Sequence, residues 1–431
     1  MSGSLRAGRM RHTMPIGGSR ALFIAITCSL MVLSAAHATG AEILWNRTLT
    51  QDVTDLSISE DGEDTAVAAE WIQLFDSGGN VLWRQWVARR VLISGDGRYV
   101  AAGSYGSVRL VDVRGKNLWE REIDGEISAL ATTSDMSRLA AGTLTGSVYI
   151  FSNSGELLGK NTTNTVGGTA PVRDIAISDD GACTAAITSR AVFLLNRTSY
   201  PLWERLNETL FDGKYVSISR SCDLVAAAGK YELYRLHSGG ETLWRYSANG
   251  EITALATIYN HSLVALGTRD GRVILLDGSG SVRGIYATGR MISRLSISRN
   301  GDRILASSLN GGVYLLDSDA VLLDSAELGR MVRAVALIPS GEKGVAATVD
   351  GLFFLRFSGS FPAAMTVTPG PPTPSPTRSI PTIQIVTTAE TSPPEESGPS
   401  ETIPPVTRAG FWPLSLPFAI VLAIILLPAR R

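Results

Sequence analysis

A Leu-Trp pair recurs along the middle of the chain, and its regular spacing restricts the possible folds more than any other feature of the sequence. The pairs begin at Leu44, Leu82, Leu118, Leu202 and Leu243, so successive pairs are separated by roughly 40 residues or by twice that interval. A short apolar run and a turn precede most of the internal pairs. A repeat of this length indicates that residues 41–357 are stacked copies of one supersecondary unit.

A second marker precedes each Leu-Trp half. It is an apolar run that ends in Asp-Gly or Asn-Gly, as in 56–62, 175–181 and 295–301, and these dipeptides are signals for tight hairpins. A run of small residues follows, as in 100–103 and 139–142. Each unit therefore contains four short strands, which is the composition of a propeller blade. The sequence predicts an all-β fold, a β-propeller.

The number of blades follows from the first turn of each unit. These turns lie at 61–62, 96–97, about 135, 180–181, 221–222, 260–261, 300–301 and 340–341. We therefore expect eight four-stranded blades, with seven as the alternative if the unit near 260 or 340 is a distortion. The last unit lacks an outer strand, and the N-terminal strand 43–47 is expected to supply it. That pairing would close the ring and remove an open sheet edge.

These motifs resemble the repeats of two propeller families. The Asp-x-x-Gly and Leu-Trp half resembles quinoprotein-like (PQQ-like) repeats, and the Ser-x-Asp-Gly half with its Ala-Ala strand resembles WD40-like repeats. The chain has no Gly-His and no Trp-Asp pair, which departs from the WD40 signature. The resemblance implies the fold and transfers no function.

The two ends of the chain indicate targeting segments. Residues 1–38 contain an arginine-rich start, an apolar run over 21–36 and a small-x-small site at 36–38, which is the pattern of a cleaved signal peptide. An uncleaved membrane helix is the alternative. Residues 358–409 hold twelve of the 19 prolines and are expected to form a disordered, Ser/Thr-rich stalk.

Residues 410–431 combine an apolar stretch with a basic end and predict a C-terminal transmembrane or sorting segment. This tail resembles archaeal surface-protein sorting signals. Those signals begin Pro-Gly-Phe, whereas this chain has Ala409-Gly410-Phe411, which leaves enzymatic processing open. Together the ends predict export, with the propeller at the outer face of the cytoplasmic membrane or the cell surface.

Composition disfavours several kinds of site. The chain has 39 basic and 40 acidic residues and a net charge of −1, so we expect no nucleic-acid partner. Two of its four histidines lie in the leader, which disfavours a histidine-rich metal site. The resemblance to quinoproteins would imply quinone held over adjacent cysteines, but Cys183 and Cys222 are far apart. We expect no metal and no cofactor.

Three sets of candidate residues remain. Charges are expected to ring the mouth of the central channel where the inner strands begin, and they are Glu126, Arg173, Asp174, Glu251, Arg290, Arg294, Arg330 and Arg333. Solvated caps and ion pairs between blades are the alternative role for them. Cys183 and Cys222 stand near the first turns of neighbouring units and are candidates for a disulfide, or else two buried thiols. Candidate N-glycosylation sites are Asn46, Asn161, Asn196, Asn207 and Asn260.

The first functional hypothesis is a non-enzymatic surface-binding or scaffold module that contacts a protein or a glycan through the loops of the propeller. The second is an exported enzyme, either a quinone-dependent oxidoreductase or a hydrolase. The third is an envelope-assembly factor. A convergent carboxylate cluster or a metal in the channel would favour an enzyme, whereas a mouth lined only by paired charges would favour the scaffold.

Overall fold

The structure is a computed structural model and describes residues 40–165, 168–206 and 212–358. Within these residues the chain forms strands and turns and no helix, which confirms the all-β prediction. No helix of this described part is long and apolar enough to cross a membrane. The predicted signal peptide, the C-terminal segment and all of the stalk beyond Ser358 lie outside the described residues, so these assignments stay predictions.

The strands of the first half follow one another in short antiparallel steps. The first strands are β1 (Glu42–Thr48), β2 (Asp55–Ile58), β3 (Asp64–Ala69), β4 (Trp71–Asp76) and β5 (Val81–Val87). The next seven form one sheet and are β6 (Arg90–Ile93), β7 (Tyr99–Gly103), β8 (Tyr105–Asp112), β9 (Asn117–Thr132), β10 (Arg138–Thr143), β11 (Ser147–Ser152) and β12 (Leu157–Thr162). A two-stranded ribbon follows, formed by β13 (Asn164–Thr165) and β14 (Gly168–Thr169).

The second half repeats a four-stranded unit. Its first two sheets are β15 (Val172–Ile177), β16 (Cys183–Thr188), β17 (Ala191–Asn196) and β18 (Pro201–Leu206), then β19 (Tyr215–Ile218), β20 (Leu224–Ala228), β21 (Glu232–His237) and β22 (Thr242–Ser247). The next two are β23 (Ile252–Thr257), β24 (Leu263–Thr268), β25 (Arg272–Asp277) and β26 (Val282–Ala287), then β27 (Ile292–Ile297), β28 (Arg303–Ser308), β29 (Gly312–Asp317) and β30 (Leu322–Glu327). The last strands are β31 (Val332–Leu337), β32 (Lys343–Thr348) and β33 (Gly351–Arg356).

Burial explains the sequence of each strand. The second strands, such as β16 and β24, are buried along their whole length, because both faces of the sheet are covered by neighbouring sheets. Outer strands such as β26 alternate exposed and half-buried residues. The first turn is held by its own side chains: Ser59 Oγ donates to Asp61 at 2.6 Å, and Gly62 takes a left-handed φ of 75°.

The inner strands form a circle of contacts. Each first strand contacts the first strand of the next unit, and the circle returns from β31 to β2. β1 pairs antiparallel with β33, and the Trp45 ring stacks on Phe354 with a centroid distance of 5.3 Å. The number of blades is eight if the seven-stranded sheet is divided within β9. The count of eight and closure of the ring by β1 stay predictions, which this topology supports.

The repeated tryptophans join neighbouring sheets at their outer ends. The indole N–H of Trp45 donates to Ser77 O at 2.8 Å, and the N–H of Trp83 donates to Val113 O at 2.7 Å. The turn that supplies each acceptor carbonyl also holds a glycine that lies against the tryptophan ring. A Cβ on Gly79, in the turn of Ser77, would stand 2.6 Å from Trp45. The Leu-Trp and Asp-x-x-Gly motifs therefore meet across a gap between sheets, and we call this contact the Trp–Gly contact.

Consecutive strands of each sheet run antiparallel, so the loops that connect them lie alternately on two opposite faces. We call the face at which first strands begin the start face; it also holds the turns between second and third strands. The opposite face, which holds the Asp-Gly turns, is the turn face. Charged candidates such as Arg173 and Glu251 lie on the start face.

Candidate functional site

The start face has a channel mouth with two cavities. A cavity of about 430 Å3 is lined by Thr54, Arg89, Arg90, Glu126, Ile127, Ser128, Leu144, Pro171, Val172 and Arg173. A second cavity of about 220 Å3 is lined by Lys214, Tyr215, Glu251, Thr253, Met291, Ser293, Arg294, Leu309, Val332 and Arg333. We call these the first and second mouth cavities.

The structure brings most of the predicted mouth residues to this place. Glu126 and Arg173 line the first cavity, and Glu251, Arg294 and Arg333 line the second. Two predicted residues lie elsewhere. Arg330 forms an ion pair with Asp350 in a peripheral turn. The backbone of Arg290 lies against Gly271, in the turn between β24 and β25 of the preceding sheet.

Most charges in the mouth form ion pairs between consecutive units. In the first cavity Arg89 Nε lies 2.9 Å from Glu126, and Arg173 lies 2.7 Å from Asp212 outside it. The second cavity repeats this arrangement. Lys214 pairs with Glu251, and Arg333 lies 3.6 Å from Asp52 outside the cavity. These pairs neutralise much of the mouth and link successive units.

Five first strands carry a charged side chain or a tyrosine at one equivalent position. These residues each stand four positions before the serine of a first turn, and they are Asp55, Arg90, Asp174, Tyr215 and Arg294. Asp55 accepts a hydrogen bond from Val91 N at 3.2 Å, and Asp174 accepts one from Val216 N at 2.9 Å. Both carboxylates thus satisfy backbone N–H groups at the open edge of the next inner strand. We call these five residues the neck.

Burial in the neck shifts the titration of its carboxyl groups. Desolvation raises the pKa of Asp174 to about 6. Hydrogen bonds from Val216 and Ile175 and the charges of Arg90 and Arg294 favour the ionised form and offset part of this rise. The pKa of Asp55 is raised for the same reason, and the same two arginines oppose the shift. Two guanidinium groups therefore act on both carboxylates.

Sequence reasoning found Asp174 and Arg294 of the neck and missed Asp55, Arg90 and Tyr215. An alignment of the repeat units on the serine of the first turn would have found them, because it places all five neck residues at the same position of the unit. An inspection for charges near strand starts does not reveal that equivalence.

Large apolar side chains are exposed on the start face around the mouth. They lie at the turns between second and third strands, and their exposed fractions are 38% for Trp71, 57% for Tyr105, 47% for Leu144 and 48% for Tyr231. Cations lie over three of them: Arg84 over Trp71 at 5.6 Å, Arg89 over Tyr105 at 4.9 Å and Lys230 over Tyr231 at 5.3 Å. Exposed aromatic rings beside arginines are typical of protein interfaces.

One histidine stands near a hydroxyl in the channel wall. His261 Nε2 lies 3.4 Å from Ser217 Oγ, and Ser217 lines a further cavity of the channel. Burial, together with the charge of the nearby Arg235, lowers the pKa of His261 to about 4. Both effects oppose the imidazolium that a general base must become. The described residues contain no group of three or more His, Cys, Asp or Glu that could hold a metal ion.

The remaining candidates lie away from the mouth. Cys183 and Cys222 form a disulfide with Cα atoms 5.8 Å apart, and it joins two neighbouring sheets. Among the candidate glycosylation sites, Asn46 and Asn260 are exposed and Asn161 and Asn196 are half-buried, whereas Asn207 lies outside the described residues. Glycan attachment at these positions stays a prediction.

Comparison with known proteins identifies the fold. No protein-family model and no curated protein matches the sequence. Among solved structures, Sqt1 of Saccharomyces cerevisiae matches with a TM-score of 0.65 and 15% identity, covering 74% of this chain and 99% of that chain. Chaetomium thermophilum Sqt1 bound to the N-terminus of ribosomal protein L10 matches with a TM-score of 0.63 and 16% identity, covering 71% and 97%.

The C-terminal WD40 domain of Sif2 also matches, with a TM-score of 0.64 and 14% identity over 74% of this chain and 99% of that domain. At such identities the likeness shows the fold alone. It confirms a β-propeller and the resemblance to WD40-like repeats. The resemblances to quinoprotein-like repeats and to archaeal sorting tails find no support here.

The predicted localisation is wrong. We expected an exported protein at the outer face of the cytoplasmic membrane or the cell surface, from two end segments that lie outside the described residues. The structures that share the fold instead include Sqt1 bound to part of a ribosomal protein, a partner foreign to that location. The envelope-assembly hypothesis also assumed an exported protein and is not carried further.

Proposed function

We propose that this chain is a non-enzymatic scaffold that binds a protein partner through its start face. The observation that carries the proposal is the coincidence of exposed Trp71, Tyr105 and Tyr231 with an arginine-rich mouth on one face. Rigid aromatic rings supply contact area at low entropic cost, and arginines supply directed hydrogen bonds. The complex of Sqt1 with a ribosomal protein segment supports the proposal as an example of protein binding by this fold.

The paired charges of the mouth favour a scaffold over an enzyme. Arg89–Glu126 and Lys214–Glu251 are satisfied ion pairs, whereas a catalytic carboxylate needs a reactive proton or a free lone pair. The hydrolase alternative has one supporting contact, between Ser217 and His261, and the low pKa of that histidine opposes it. A quinone held over adjacent cysteines does not fit, because Cys183 and Cys222 belong to different sheets.

The proposal is tested by retention of partners on the immobilised full chain, read by mass spectrometry. Tyr105→Ala and Tyr231→Ala should each reduce retention of a specific protein by about tenfold, because each removes an exposed aromatic contact. Tyr200→Ala is the matched control, since Tyr200 is 68% exposed in a turn on the other face.

Retention that falls with Tyr200→Ala and persists with the two start-face variants would contradict the proposal. A partner whose retention is lost after removal of its sugars, with no loss after mutation of the tyrosines, would replace the protein partner with a glycan.

A further inference from the structure

We propose that the mouth binds an acidic segment of the partner protein and that Arg90 and Arg294 anchor its carboxylates. This proposal rests on the proposed function and adds the chemistry of the partner to it. It begins from the composition of the two mouth cavities. Each is lined by three cations and one glutamate: Arg89, Arg90, Arg173 and Glu126 in the first, and Lys214, Arg294, Arg333 and Glu251 in the second.

In each cavity two of the three cations are already paired. One is neutralised by the glutamate of the cavity, and another by an aspartate outside it, as for Arg173 with Asp212. The third cation, Arg90 in the first cavity and Arg294 in the second, forms no ion pair within 4 Å among the described residues. The two cavities are thus equivalent half-sites, each with one arginine left for a ligand.

The hydrogen bonds of these two arginines leave donors available. Arg90 Nε donates to Ser128 O at 2.9 Å, and Arg294 Nη1 donates to Ser293 O at 2.8 Å. A guanidinium carries five N–H donors, so most donors of both groups remain for a ligand. Carboxylate groups accept such donors in bidentate pairs.

The position of the two arginines favours a ligand that enters the mouth. Both charges act on Asp55 and Asp174, so both guanidinium groups lie near these two carboxylates. A segment lying across the mouth could therefore reach both half-sites with two carboxylates. The exposed tyrosines at the periphery would contact the remainder of the partner.

Glutamates in the same mouth disfavour a nucleic acid. A phosphate backbone binds by neutralising many successive cations, whereas Glu126 and Glu251 interrupt the positive charge here. Two isolated arginines between carboxylates match a peptide that carries a few acidic side chains.

The test is fluorescence anisotropy of the full chain with a labelled peptide of alternating Glu and Gly, at fixed ionic strength. A peptide with Gln at every Glu position is the matched probe, and an oligothymidylate tests nucleic acid. We expect binding of the Glu peptide to exceed that of the Gln peptide by at least about tenfold. Arg90→Gln with Arg294→Gln should abolish this difference, while Arg90→Lys with Arg294→Lys should keep part of it.

Arg98→Gln with Arg114→Gln is the control, because these exposed arginines lie on the turn face. Melting followed by circular dichroism verifies the fold, and the single variant Arg294→Gln, at an exposed residue, replaces the double variant if that fails to fold. Equal binding of the Glu and Gln peptides, or binding unchanged by Arg90→Gln with Arg294→Gln, overturns the inference. Preferential binding of the oligothymidylate overturns it in favour of nucleic acid. Loss in the tyrosine variants is measured separately, so the scaffold proposal can stand if this inference fails.

Discussion

At the scale of single residues, one inner-strand position has two roles. Asp55 and Asp174 cap backbone N–H groups of the next inner strand, whereas Arg90 and Arg294 at the same position remain without ion pairs among the described residues. The sequence shows that these residues are charged. It does not show which of them a neighbouring strand engages, because that depends on register between sheets.

The raised pKa of Asp174 has a consequence for stability. An unfolded aspartate titrates near 3.8, so between pH 4 and about 6 the folded chain binds a proton that the unfolded chain has lost. The contribution of Asp174 to the free energy of unfolding therefore falls as pH rises through this window. Asp174→Asn, whose amide oxygen can still accept from Val216, should reduce that fall by about 1–2 kcal/mol between pH 4 and 7.

The measurement is urea denaturation of both chains at several pH values. Parallel stability curves for the wild type and Asp174→Asn would show that the neck does not perturb this carboxyl group.

At the scale of elements, the Trp–Gly contact explains why the most regular motif of the sequence recurs. The motif predicted turns and strands correctly, yet its two halves act across different sheets: Trp45 on β1 meets Gly79 after β4, and Trp83 on β5 meets Gly115 after β8. Two outer strands have glycine at the position of the tryptophan, namely Gly159 and Gly284. There the backbone of a turn in the neighbouring sheet occupies the space that the indole ring fills elsewhere. Sequence spacing alone did not predict that replacement.

Gly79→Ala should destabilise the chain more than Gly289→Ala. Both glycines have a left-handed φ, of 76° and 69°, so alanine carries a similar backbone cost of about 1 kcal/mol at either site. Only at Gly79 would the new Cβ stand 2.6 Å from Trp45, whereas nothing lies within 4 Å at Gly289. The clash should add roughly 1–3 kcal/mol, measured by urea denaturation. Equal losses of unfolding free energy in the two variants would show that the Trp–Gly contact accommodates the added Cβ without destabilising the chain.

At the scale of the whole molecule, the repeat determined the fold and left the function open. Strand order, turn positions and the charged mouth could be predicted from the sequence, because each follows from local patterns. The grouping of the exposed Trp71, Tyr105 and Tyr231 on one face could not be predicted. The sequence does not show which turns of successive units share a face until the strands are paired. The location of the protein was mispredicted from end segments that lie outside the described residues.

The central claim is that the start face, and not the turn face, is the binding surface. The most direct measurement is lysine acetylation footprinting of the full chain with and without the partner that it retains. Lys214 and Lys230 lie on the start face, and Lys116 and Lys343 lie on the turn face. We predict that the partner protects Lys214 and Lys230 and leaves the labelling of Lys116 and Lys343 unchanged. Protection of Lys116 and Lys343 with full labelling of Lys214 and Lys230 would contradict the account.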